Sequence, residues 1–142
     1  HFRVGEALYF GKDLVHDTVF KGMHEDVLEL YAEIIEINEK PKIPIGNLEA
    51  NPSGETFKIN EEDYGKKSHR AILDVGLLDI TSDYLIPEDK SIVFVGASSD
   101  MLVVDIEENE KNYKVGDKLR FRLKYMGALS LLNSAYIEKR VI

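Results

Sequence analysis

The sequence predicts a mainly β domain built of short strands. Ile92-Val93-Phe94-Val95 and Leu102 to Ile106 are short apolar runs on either side of Gly96-Ala97-Ser98-Ser99-Asp100-Met101, a bend of mostly small and polar residues. Two such runs around a small-residue turn read as buried strands rather than as a helix. Further on, Lys114-Val115-Gly116-Asp117 makes a second turn, and Leu119-Arg120-Phe121-Arg122-Leu123 follows with strict alternation of apolar and basic residues. That period of two puts Leu119, Phe121 and Leu123 on a core face and Lys118, Arg120, Arg122 and Lys124 toward water.

Composition narrows the setting. A chain of 142 residues is long enough for one domain with a real core. Charged residues make up 31% and apolar residues 44%, and the net charge is −8. An acidic surface repels phosphate backbones, so no nucleic acid partner is expected. The absence of cysteine excludes disulfides and thiolate metal sites and fits a reducing compartment, so the expected location is cytoplasmic. No apolar run approaches the roughly 20 residues that span a bilayer, and no signal-peptide pattern opens the chain, so no membrane association is expected. The chain begins at His1 rather than at methionine, which reads as a fragment or a processed product.

The order of these segments resembles the C-terminal region of the pyridoxal-phosphate (PLP) amino-acid racemases, the alanine racemase family, and most of all its ornithine-racemase-like members. That family carries a similar glycine, serine, aspartate, apolar run and aspartate, then a valine-glycine-aspartate turn. The resemblance implies a C-terminal β-barrel or sandwich domain over residues 12–142. It also makes residues 1–11 the last segment of a preceding α/β (TIM-type) barrel that binds the cofactor.

His1 to Gly11, His-Phe-Arg-Val-Gly-Glu-Ala-Leu-Tyr-Phe-Gly, is similar to the racemase segment that closes the barrel. The resemblance gives Arg3 the pyridine nitrogen of the cofactor, and gives backbone amides at Gly5 and Glu6 its phosphate. The chemistry suits the residues. A guanidinium is permanently charged and keeps the pyridine nitrogen unprotonated. The cofactor is then a weaker electron sink, which favours racemisation over competing carbanion reactions. Glycine lets backbone N–H groups approach a phosphate closely.

Residues 12–26 are polar and irregular. His16-Asp17 and His24-Glu25-Asp26 lack the three or four converging ligands of a metal site and read as solvated loop histidines. Residues 27–37 fit two patterns: Val27, Leu30, Tyr31, Ile34 and Ile35 make a helical stripe, whereas Leu28, Leu30, Ala32 and Ile34 make one face of a strand. Periodicity leans to the helix. The resemblance implies a strand, because in the family this stretch opens the β-domain and runs into a connection like Lys40-Pro41-Lys42-Ile43-Pro44-Ile45-Gly46. Residues 47–69 read as a long surface excursion with a hairpin near Asn51-Pro52-Ser53-Gly54.

Arg70 to Asp79, Arg-Ala-Ile-Leu-Asp-Val-Gly-Leu-Leu-Asp, resembles the racemase strand that ends in glycine, tyrosine, alanine, aspartate. In alanine racemase that tyrosine enters the partner subunit's active site as one of two bases, the other being the cofactor lysine. Racemisation removes a proton from one face and returns it to the other, which calls for two opposed groups. Gly76 and Asp79 match, but Leu77 stands at the tyrosine position and carries no proton. Either another residue supplies the second base, for which Tyr84, the nearest tyrosine downstream, is the candidate, or the chemistry is one-base, or the protein is not an active racemase. Asp79 reads as a turn or capping residue.

Residues 81–90 read as a turn-rich link. In the family, a side chain just before the aspartate of the 96–106 element borders the other subunit's substrate pocket. Here that implies Ser99, with Asp100 and Met101 beside it. Alternatively, Ser98, Ser99 and Asp100 satisfy turn backbone. Residues 107–117 form a charged, solvated connection, and residues 125–134 a short helix. Residues 135–142 resemble the family's closing strand, with Val141 where alanine racemases put a phosphate-binding tyrosine.

The resemblance thus implies a homodimeric parent enzyme that racemises a free amino acid on PLP, with its cofactor lysine outside this chain. The 142 residues alone are then expected to be inactive. The alternative is a non-catalytic PLP-binding or regulatory protein that kept the fold, which Leu77 and Val141 favour. A generic β-barrel binding module would require the segment matches to be chance.

Overall fold

The structure is a computed structural model that describes residues 1, 5–43, 60–108 and 110–141. The described chain forms a short helix α1 (Glu6–Phe10) and a small hairpin of β1 (Lys12–Asp13) and β2 (Thr18–Val19). It continues through β3 (Glu29–Pro41), β4 (Lys67–Leu73), β5 (Leu85–Pro87), β6 (Val93–Ala97), β7 (Leu102–Asp105), β8 (Lys118–Leu123) and α2 (Tyr125–Asn133). The six strands β3 to β8 make one sheet in the order β5-β8-β3-β4-β7-β6, curled into a half-barrel, with every pairing antiparallel. The chain is therefore mainly β.

β3 organises the sheet. It runs as a strand of 13 residues, with Leu30, Ala32 and Ile34 buried and Tyr31 and Ile35 exposed. The helical stripe is not used, because β8 and β4 take up the backbone hydrogen bonds of β3 while the Leu30, Ala32 and Ile34 face packs into the core. The first half, Glu29–Glu33, pairs with β8, and the second half, from Ile34 to Pro41, pairs with β4. Between Ile34 and Glu36 the register slips, and a slip of this kind bends and twists a strand. The changeover is pinned from both sides. Asp74 accepts the Glu33 N–H through Oδ1 at 2.7 Å and donates its own N–H to the Glu33 carbonyl at 3.1 Å. The 114–117 turn closes the other side: Gly116 N–H reaches the Ile34 carbonyl, and Ile34 N–H the Asp117 carbonyl, both at 2.8 Å. Gly116 sits at φ +93°, where a side chain is strained, and Asp117 Oδ2 accepts the Lys114 N–H at 2.7 Å.

The core lies inside the curl. Ile34, Leu73, Leu102, Val104, Leu119 and Phe121 are sealed from solvent. Phe94 stacks on Phe121 with ring centroids 5.8 Å apart. Ala128 and Leu131 of α2 join this cluster, and Phe10 of α1 adds to it through an edge contact with Tyr125.

Five expectations are corrected. β6 is an edge strand rather than a buried one: it pairs only with β7, and Val93 is 59% exposed. The 81–90 link contains β5, whose Pro87 is tolerated because β5 is the opposite edge of the sheet. The strand expected across 70–79 begins earlier, at Lys67, and ends at Leu73, so Gly76, Leu77 and Asp79 lie beyond it. No strand forms over the described residues 135–141, where only Ile137 packs on the core and Val141 is fully exposed. Arg120 and Arg122 are half-buried rather than water-facing. The helix at 125–134 is present as α2. The Asn51–Gly54 hairpin lies outside the described residues.

Candidate functional site

The two segments that carry most of the sequence argument meet. Past the end of β4 the chain turns at Gly76, whose carbonyl accepts the N–H groups of Asp79 and Ile80, both at 3.0 Å. The β6–β7 bend closes on itself through Ser98 N–H and the Met101 carbonyl at 2.8 Å. These two turns are stitched together: Leu77 N–H donates to the Ser98 carbonyl at 3.0 Å, and Leu78 N–H to the Ser99 carbonyl at 2.9 Å. The contact is so close that a Cβ on Gly76 would lie 2.3 Å from Met101 N and 2.5 Å from Ser99 O. Only glycine fits there.

The junction presents a mixed surface. Leu78, Ser99, Asp100 and Met101 are exposed, and Leu77 is half-buried. Ser99 Oγ donates to Asp100 Oδ2 at 2.7 Å, and Ser98 Oγ lies 3.4 Å from the Met101 carbonyl. The turn hydroxyls thus satisfy local acceptors. Asp79 serves the turn as expected, and its carboxylate also accepts a hydrogen bond from Ser134 Oγ just past α2.

The remaining candidates sit elsewhere. Gly5 precedes α1, and its carbonyl accepts the N–H groups of Leu8 and Tyr9 at 2.9 and 3.1 Å. Among the described residues, a Cβ on Gly5 would meet the Tyr125 hydroxyl at 3.8 Å, an ordinary van der Waals contact. Glu6 is the first residue of the helix, and Arg3 lies outside the described residues. Tyr84 packs on the core and faces α2, where a Cβ on Gly127 would come within 2.8 Å of the Tyr84 Cβ. His16 hydrogen-bonds Asp13 Oδ2 at 2.7 Å, and that contact holds the Asp13 carboxyl below its usual value. His24 lies 3.7 Å from Asp26. Among the described residues no three His, Cys, Asp or Glu side chains gather as metal ligands.

Ornithine racemase of Acetoanaerobium sticklandii is 39% identical to this chain over 142 residues, which is all of the chain and 39% of that protein. Lysine racemase of Thermotoga maritima is 36% identical over 137 residues, 96% of this chain and 38% of that protein. The chain is similar along essentially its whole length to these two amino-acid racemases. It spans less than two fifths of the length of these two relatives. Among solved structures, alanine racemase from Acinetobacter baumannii aligns with 86% of the chain and 34% of its own length, at 20% identity and a TM-score of 0.48. No protein-family model matches the chain.

Gly76 is the position that the sequence resemblance singled out and that the close backbone approach makes indispensable. Sequence reading missed the stitching of residues 76–78 to 98–101. The signal for it was a glycine isolated just after an apolar strand, a common mark of close backbone approach. Among the described residues no helix is long and apolar enough to cross a membrane.

Proposed function

We propose that this chain is the C-terminal β-domain of a PLP-dependent amino-acid racemase and completes the active site of a partner subunit in a cytoplasmic homodimer. The observation that carries this reading is the identity of 39% and 36% to an ornithine racemase and a lysine racemase across essentially the whole chain. Residues 1–11 are the end of the cofactor barrel, and residues 12–142 the β-domain.

The residues present suit the cofactor. Arg3 would meet the pyridine nitrogen, and the backbone amides at Gly5 and Glu6 would meet the phosphate, where even a Cβ on Gly5 would stay in ordinary van der Waals contact with Tyr125. When bound, PLP withdraws electrons from the substrate's α-carbon and so acidifies its proton. The chain's own part is to wall and shape the pocket. The stitched junction holds Ser99, Asp100 and Met101 on a rigid platform, which limits the positional slack that costs catalytic rate. Leu77 lends an apolar wall where alanine racemases carry tyrosine, so the second base comes from another residue, for which Tyr84 is the candidate within this chain. The substrate is a free amino acid. Ornithine and lysine are the leading choices, given the two relatives' names.

Leu77 favours one other reading, a non-catalytic PLP-binding or regulatory protein. A single experiment separates the two. The full-length parent is purified, its visible absorbance is recorded, and α-proton exchange from L-ornithine, L-lysine and L-alanine is followed in D₂O. A coloured protein that exchanges and racemises supports the enzyme. A coloured protein that exchanges none of the three supports the binding protein. A colourless protein that takes up no PLP overturns both.

A further inference from the structure

The outer face of β8 meets β5 and the loop at residues 23–26 in a cleft of about 660 Å³, within the usual range of small-molecule sites. Ile86, Pro87 and Ile92 give it apolar walls. Both signs of charge also line it: Arg120, Arg122 and Lys90 are cationic, and Glu25, Asp26 and Glu88 are anionic. No carboxylate oxygen of Glu25 or Glu88 takes a hydrogen bond among the described residues.

The two arginines of β8 differ. Arg120 is engaged: its Nε donates to Glu29 Oε1 at 2.8 Å, its NH2 group bonds the same oxygen, and Asp26 lies 3.9 Å away. Glu29 stands directly across the β3–β8 register from Arg122, yet its carboxylate is taken by Arg120 and by Tyr31 Oη at 3.1 Å. Arg122 is left with an Nε that is sealed from water and has no hydrogen-bond partner among the described residues. A buried Nε–H without a partner is costly; the two terminal NH2 groups of the same guanidinium are not sealed and make no hydrogen bond among the described residues, and a carboxylate is the group that matches such a pair bidentately.

We propose that this cleft binds a small zwitterionic amino acid, its carboxylate on Arg122 with Lys90 in support and its ammonium on the carboxylates of Glu25 and Glu88. The site is separate from the 76–78/98–101 junction, with which it shares no lining residue, and it stands on the cleft's own charges whether or not the parent is a racemase.

The test uses the 142-residue chain, which carries its own core around Phe121, Ile34 and Leu73. L-Ornithine is the probe, with acetate and 1,4-diaminobutane as its two halves, read by calorimetry and by amide chemical shifts. Expected are one-site saturable binding of ornithine, shifts centred on β5, β8 and residues 23–26, and weaker binding of either half. Arg122→Met keeps the aliphatic stem and should lower the affinity roughly tenfold or more, with an unfolding transition confirming the fold. Should that variant not fold, Lys90→Gln, at an exposed position, is expected to weaken binding several-fold. No saturable binding, an unchanged affinity in folded Arg122→Met, or acetate binding as tightly as ornithine would each overturn the proposal.

Discussion

The backbone N–H of Leu77 donates to the carbonyl of Ser98 at 3.0 Å. That bond ties the turn after β4 to the bend between β6 and β7, two segments 21 positions apart in sequence. It holds Leu77 beside Ser98 and Ser99.

Gly76→Ala is expected to destabilise the chain by about 3 kcal/mol, at the upper end of overpacking costs because the added Cβ meets backbone that has no rotamer to yield. Urea unfolding of the two proteins measures it. A loss below about 1 kcal/mol would mean that the 98–101 bend moves freely away from Gly76.

Gly127→Ala sets two effects against each other. Inside a helix, alanine gains about 1 kcal/mol over glycine. Here the new Cβ would come within 2.8 Å of Tyr84 Cβ and 3.0 Å of Ile80 Cδ1, and overpacking of that kind costs about 1–3 kcal/mol. The clash is expected to win, lowering the thermal midpoint, and a raised midpoint would contradict the packing of α2 on Tyr84.

Asp89 and Tyr113 give the stability two pH limits. Asp89 accepts hydrogen bonds from Ser91 N–H and Oγ and from Tyr113 Oη, with Lys111 near, and Ser91 above all holds its carboxyl below the ordinary 3.8. A depressed folded-state value contributes stability that is full above pH about 4 and fades as the folded carboxylate is protonated. Asp89→Asn should therefore be less stable than the parent sequence near neutrality, with the gap closing in acid. Burial, with help from Asp89, pushes Tyr113 up to about 12 from 10.0. Its contribution is complete below pH 10 and is lost as pH rises to about 12. Thermal midpoints against pH should fall more steeply across that interval in the parent sequence than in Tyr113→Phe.

Tyr84→Phe in the full-length parent is expected to leave the fold within about 1 kcal/mol of the unmodified protein, since only a hydroxyl is removed. As the candidate second base Tyr84 should carry α-proton exchange, so exchange that persists in the variant rules it out. Abolished exchange with an intact unfolding transition would make Tyr84 the second base.

Much of the strand content was legible because it obeys a period of two. The alternation of Leu119, Phe121 and Leu123 needs nothing beyond local sequence to mark β8, and the Gly116–Asp117 turn announces itself by residue type. The short helix at 125–133 was legible in the same local way. Periodicity pointed the other way for β3, since Val27, Leu30, Tyr31, Ile34 and Ile35 leaned to a helix and only the family resemblance implied a strand. Likewise β5 could not be read from three residues ending in proline, because only its place at the sheet edge excuses the missing N–H.

By itself the sequence determined the mainly β class, the position of the bends, and the likeness to racemases carried by the order of small motifs. Tertiary structure alone decided where β3 changes partner from β8 to β4, that β6 and β5 are the two edges among the described strands, and that residues 76–78 and 98–101 form one platform. It also decided that Glu29 serves Arg120 and leaves Arg122 without a carboxylate. These outcomes depend on hydrogen bonds and charge pairs between residues distant in sequence, such as Glu29 and Arg120. A local pattern carries no information about which of two equally suited neighbours a single carboxylate will choose once the sheet has curled.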